Sequence, residues 1–118
     1  MDSSEFSRRN NHLFVYITAS GREEAERISE ALIGERLVAC TNIIDDMSAL
    51  FWWEGGVQSE KEVVLIAKTR ADVFDRLTGR VKELHSYDCP CIIGMPIVTG
   101  NPDYLDWIDE EVRPEKER

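Results

Sequence analysis

Residues 48–68, SALFWWEGGVQSEKEVVLIAK, decide the fold. The turn signal Glu54-Gly55-Gly56 separates two runs of aromatic and β-branched residues, which predicts a β-hairpin. Odd and even positions are both apolar in residues 49–53 and 63–67. A sheet that helices cover on one face should alternate apolar with polar residues. A chain of 118 residues has no layer left for the second face, so we expect an obligate oligomer.

The segments on either side of this hairpin complete an α+β pattern. In chain order, the sequence predicts a strand at 13–17, a helix after an N-cap at Ser20, an extended segment at 37–44, a helix at 71–84, a strand at 91–98 and a helix at 102–110. This order favours a ferredoxin-like fold, in which an antiparallel sheet carries helices on one face. We expect a flexible N-terminal arm at 1–12, one domain at 13–112 and a charged C-terminal tail at 113–118.

The charge balance restricts the classes of partner. Fourteen basic residues against 23 acidic ones give a net charge of −9, which disfavours nonspecific binding to nucleic acid or to an anionic membrane. No apolar run approaches the roughly 18 residues of a membrane-spanning helix. Residues 1–12 lack the apolar core of a signal peptide, so we expect a cytoplasmic protein.

Three stretches, ERLVACTN at 35–42, SALFWWEG at 48–55 and EVVLIAKT at 62–69, resemble the CutA family of divalent-cation tolerance proteins. The later part of the resemblance is carried by His85, Tyr87, Pro90, Ile92, Pro96, Gly100, Asp103-Tyr104-Leu105 and Trp107. It implies a ferredoxin-like homotrimer with its sheets inside, tolerance to copper and other divalent cations, and metal binding without catalysis. The architecture is also similar to that of P-II signalling proteins. The alternative is therefore a small-molecule-sensing or scaffold trimer that binds a ligand or partner in clefts between subunits.

Three residues after the second predicted helix are candidate metal ligands: His85, Cys89 and Cys91. His85 aligns with a family histidine proposed as a copper ligand. In an extended segment, Cys89 and Cys91 would point to the same face. The family commonly has a glutamate where this chain has Cys91, and sulfur in place of oxygen favours Cu(I) or zinc. The alternative is structural, with buried cysteines acting as small apolar residues and His85 as a cation at a helix C-terminus.

Four further residues are candidates for a ligand pocket or a subunit interface: Trp52, Trp53, Lys68 and Tyr87. Adjacent indoles on a strand point to opposite faces, so we expect at least one to be buried between subunits. Lys68 could bind an anionic ligand or remain solvated. Cys40, with its apolar neighbours, is predicted to lie in the core. The sequence contains no recognisable catalytic arrangement, which predicts a protein that is not an enzyme.

Overall fold

The fold is α+β, as predicted, and a computed structural model describes residues 11–113. Its elements are β1 (His12–Ala19), α1 (Arg22–Gly34), β2 (Cys40–Trp53), β3 (Gly56–Arg70), α2 (Phe74–Leu84), β4 (Ile92–Pro96) and α3 (Pro102–Glu111). The four strands form one antiparallel sheet in the order β2-β3-β1-β4. The βαββαβ succession is that of ferredoxin-like proteins.

The predicted arm and tail fall largely outside the described residues, since residues 1–10 and 114–118 are not among them. His12, which we assigned to the arm, is the first residue of β1. Within residues 11–113, no helix is long and apolar enough to cross a membrane.

Helices α1 and α2 cover one face of the sheet. The core lies between these helices and the sheet. It contains alternate residues of the central strands β1 and β3 and the apolar stripe of each helix: Val15, Ile17, Leu65, Ala67, Ile28, Leu32, Leu77 and Val81. Because neighbouring strand residues point to opposite faces, the residues between these core positions form a second face. We call this second face the open face.

The open face is apolar, and nothing in residues 11–113 covers it completely. In the strand register, Tyr16 has Ile66 on one side and Ile93 on the other, while Ile44 lies beside Val64. Ile44 and Ile93 are 52% and 51% exposed. The structure thus confirms the sequence-based expectation that one chain leaves a second apolar sheet face uncovered.

Strands β2 and β3 extend beyond the sheet as a long hairpin, and we call its residues 47–62 the hairpin arm. The predicted turn is confirmed, since Glu54 and Gly55 have φ values of 52° and 80°, as a two-residue hairpin turn with a right-handed strand twist requires. The predicted extended segment at 37–44 and the first strand of the hairpin form one strand, because β2 continues through a β-bulge between Ile44 and Met47. The arm exposes Leu50, Trp52 and Val57.

Other element boundaries also differ from the prediction. The N-cap of α1 is Gly21 and not Ser20, so no side chain caps this helix. Residues 71–73 form a short 3-10 turn before α2. Strand β4 is confined to Ile92–Pro96.

Candidate metal centre

The loop between α2 and β4 carries all three predicted metal ligands. His85 caps the C-terminus of α2, Cys89 lies in a bend, and Cys91 directly precedes β4. Because β4 begins only at Ile92, Cys89 and Cys91 do not belong to a strand. The strand alternation that was expected to point both thiols to one face therefore does not apply to them.

The imidazole of His85 is engaged on both sides. Its side chain is fully buried, and Nδ1 accepts the Tyr87 backbone N–H at 3.1 Å. Nε2 therefore carries the proton and donates a hydrogen bond to the Thr18 carbonyl oxygen at 2.7 Å. A metal could bind this imidazole only after one of these hydrogen bonds is broken.

Glu24 fastens the same loop to the start of α1. Its side chain is 6% exposed; Oε1 accepts from the backbone N–H and the hydroxyl of Ser20, at 2.9 and 3.0 Å, and Oε2 from the Ser86 N–H at 2.8 Å. Burial alone would raise the pKa of Glu24, but the hydrogen bonds from Ser20 and Ser86 outweigh it and lower the pKa to about 2. Glu24 is thus a buried carboxylate that joins α1 to the loop.

Tyr87 connects the loop to β3. Its hydroxyl donates to Oε2 of Glu62 at 2.9 Å, and its ring lies 4.7 Å from the imidazole of His85, centroid to centroid. Burial, together with the hydrogen bond to Glu62 and the charge of that carboxylate, raises the pKa of Tyr87 above its usual range. Tyr87 therefore makes its hydrogen bond within the chain, whereas we had expected it to pack or bond across an interface.

The two thiols of the loop lie in different environments. Cys89 is exposed, whereas Cys91 is half-buried. Burial raises the pKa of the Cys91 thiol, and the negative charge of Glu62 raises it further. Cys91 is therefore protonated at neutral pH and would lose its proton on binding a metal.

The described part of the chain does not supply a complete three-ligand site. No group of three His, Cys, Asp or Glu side chains within residues 11–113 is placed to hold one metal ion. Two thiols and a neighbouring carboxylate are present, but His85 is held by backbone groups. The residues of one chain therefore fit a metal centre only in part.

The predicted pocket residues do not meet within one chain. Trp52 and Trp53 lie at the tip of the hairpin arm, where they pair with Val57 and Gly56 on opposite faces of the hairpin. Lys68 lies at the other end of β3, and its ammonium donates to the Asn42 side-chain oxygen at 2.9 Å. The predicted core position of Cys40 is wrong. Its register partner is Lys68, which places Cys40 half-buried on the open face.

Sequence reasoning missed three residues of these clusters: Glu24, Asn42 and Tyr104. From the sequence, Glu24 was assigned no part in the site. The four-residue spacing from Ser20 was the available signal, since an acidic side chain in the first turn can reach back to groups before the helix. Asn42 and Tyr104 gave no local signal, because they meet Lys68 only through the tertiary fold.

Comparison with known proteins assigns a family. The family model described as CutA1 divalent ion tolerance protein matches residues 13–111. The divalent-cation tolerance protein CutA of Archaeoglobus fulgidus is 46% identical over 101 residues, which are 86% of this chain and 98% of the relative. The crystal structure of CutA1 from Oryza sativa has a TM-score of 0.86 at 40% identity, covering 89% of this chain and 96% of that one.

A structure from Archaeoglobus fulgidus corrects the expected location. It has a TM-score of 0.84 at 46% identity, covers 86% of this chain and 99% of that one, and is described as a periplasmic divalent cation tolerance protein. The prediction of a cytoplasmic protein was therefore wrong. That prediction rested on residues 1–12, whose composition carries no information on where the folded domain acts. The matching residues, the antiparallel sheet and the three helices together show that this chain belongs to the CutA1 family of divalent ion tolerance proteins.

Proposed function

We propose that this chain acts in divalent-cation tolerance as a non-catalytic homotrimer that binds copper or zinc through Cys89 and Cys91. The family description supplies the tolerance role and names no reaction. The observation that carries the metal proposal is the position of the two thiols, one exposed and one beside Glu62, in a loop outside regular secondary structure.

Sulfur ligands decide which ion this loop prefers. Thiolates are soft ligands that select Cu(I) and zinc over harder cations. Two thiolates suffice for a two-coordinate Cu(I) ion, whereas zinc needs about four ligands and would require further groups from another chain or from water. Copper is therefore the first candidate, and Glu62 favours a bound cation electrostatically.

His85 has a supporting part in this proposal. Its hydrogen bond from the Tyr87 N–H and its hydrogen bond to Thr18 fix the start of the loop on β1. We propose that His85 positions the loop and joins the metal only where its imidazole is released from one of these partners. This refines the prediction that His85, Cys89 and Cys91 are the metal ligands.

An anaerobic calorimetric titration with Cu(I) and Zn(II) tests the metal proposal. We expect near-stoichiometric Cu(I) binding per chain, weakened at least tenfold in Cys89→Ser and in Cys91→Ser. Cys40→Ser is the matched control, because Cys40 lies on the open face away from the loop and should bind as the unchanged protein does. Affinity that is the same in all of these proteins would refute the thiol site.

The trimer proposal rests on the open face and the hairpin arm. Both expose apolar residues, among them Ile44, Ile93 and Trp52, and contiguous exposed apolar surface marks sites of protein association. Aromatic residues contribute strongly to buried contacts between subunits. Copies of the chain that bring their open faces together would remove this apolar surface from water.

The alternative, a P-II-like trimer that binds a small molecule in clefts between subunits, is supported by one feature. Lys68 is a half-buried cation on the open face, and within residues 11–113 its ammonium contacts an amide oxygen and a thiol but no carboxylate.

A further inference from the structure

We propose that Lys68, Asn42 and Tyr104 form a site for a carboxylate group on the open face. This inference concerns the alternative function, and it is independent of the thiol loop. The carboxylate can belong to a small molecule or to a second copy of the chain, and benzoate binding together with the assembly mass distinguishes these two sources.

Four side chains of β2, β3 and α3 meet at this position. The Lys68 ammonium donates to the Asn42 side-chain oxygen at 2.9 Å, lies 3.7 Å from Cys40 Sγ, and lies 5.8 Å from the centre of the Tyr104 ring. The Tyr104 hydroxyl and Cys40 Sγ are 3.4 Å apart. In the strand register Lys68 stands between Cys40 and Phe14, so the ammonium emerges among weakly polar and apolar groups.

The charge of Lys68 has no acidic partner among residues 11–113. Its contacts there are an amide oxygen, a thiol and an aromatic ring. Three arginines, in contrast, each contact a carboxylate at 2.7–2.9 Å: Arg22 with Asp45, Arg36 with Glu111 and Arg80 with Glu35. Lys61 likewise contacts only a hydroxyl, that of Ser48, but Lys61 is exposed, whereas Lys68 is half-buried.

Covering the open face would make the missing counter-charge of Lys68 costly. Lys68 is already half-buried in one chain. Removing its remaining water without a counter-charge is unfavourable, because a buried unpaired ammonium loses its hydration. An anion bound at the site would offset the lost hydration. The site therefore favours a negatively charged group.

The donor set favours a carboxylate over a more highly charged anion. One ammonium balances one negative charge. The Asn42 oxygen is engaged by Lys68, which leaves the amide N–H₂ as a second donor, and two donors match the two oxygens of a carboxylate. The Tyr104 and Trp107 rings, 5.4 Å apart and partly exposed, provide an apolar wall for the group attached to that carboxylate.

Titration with benzoate, with the assembly mass recorded in parallel, tests the site. The proteins are the unchanged chain, Lys68→Met, Lys68→Arg and the control Lys82→Met. Lys82 is an exposed lysine in the last turn of α2, outside the open face and the hairpin arm. Benzoate binding that falls at least tenfold in Lys68→Met, but is retained in Lys68→Arg and Lys82→Met, identifies a small-molecule site.

A second result would identify the other source. If benzoate does not bind, but Lys68→Met alone dissociates at protein concentrations at least tenfold higher than the other proteins, the carboxylate comes from a second copy. Asn42→Ala serves where Lys68→Met does not fold, and it should weaken the same property at least threefold. If neither Lys68→Met nor Asn42→Ala changes benzoate binding or assembly, the proposal is overturned, whatever the result for Cys89 and Cys91.

Discussion

Replacing Glu24 by glutamine should remove a large pH-dependent part of the stability. The pKa of Glu24 falls from 4.5 to about 2 in the folded chain. At about 1.4 kcal/mol per pKa unit, the ionised carboxylate contributes about 3 kcal/mol at neutral pH. Because the folded-state pKa lies below the unfolded one, this contribution is fully present above pH 4.5 and disappears as the pH falls towards 2.

Chemical denaturation of the unchanged protein and of Glu24→Gln, at one fixed protein concentration between pH 7 and pH 2, measures this contribution. The difference in the free energy of unfolding should shrink by about 3 kcal/mol from pH 7 to pH 2. Other carboxylates titrate equally in both proteins and cancel in the difference. Glu23→Gln is the control, because Glu23 is also in the first turn of α1 but is exposed. A difference that does not change with pH, or that Glu23→Gln reproduces, would refute the assignment of Glu24 as the loop's anchor.

Three further substitutions test the packing around the loop and the sheet. His85→Ala should destabilise the fold by about 2–4 kcal/mol, because it leaves the Thr18 carbonyl and the Tyr87 N–H without partners in a buried site; thermal unfolding that is unchanged would contradict this role. Gly94→Ala should destabilise it by about 1–3 kcal/mol, because the new Cβ would lie 3.0 Å from Phe74 Cε1. Gly79→Ala, in α2 with nothing within 4 Å of its Cβ position, should instead stabilise the chain by about 0.5–1 kcal/mol, and equal effects at the two glycines would refute the packing argument.

The fold could be predicted because its signals are local. The turn at Glu54-Gly55 and the apolar character of both strand faces each depend on residues close together in the chain. The doubly apolar strands also indicated the uncovered face, which the exposure of Ile44 and Ile93 then confirmed. The start of α1 was misplaced by one residue, because the Ser20 hydroxyl donates to Glu24 Oε1 instead of capping the helix, and Gly21 is the N-cap.

The candidate site was predictable by residue type but not by geometry. His85, Cys89 and Cys91 are close in sequence, yet the environment of His85 depends on Thr18, which is 67 residues away. The expected alternation of the two thiols failed because β4 begins after Cys91. Cys40 was assigned to the core because its neighbours are apolar, but the strand register, which the sequence does not specify locally, turns it towards Lys68.

We propose that one chain is incomplete and that copies of it cover the open face. Sedimentation equilibrium at micromolar protein concentration measures this directly. We expect a species of three times the 13.6 kDa of one chain, with the Trp52 and Trp53 indoles protected from solvent quenchers of fluorescence. A species of 13.6 kDa whose indoles remain accessible would contradict it.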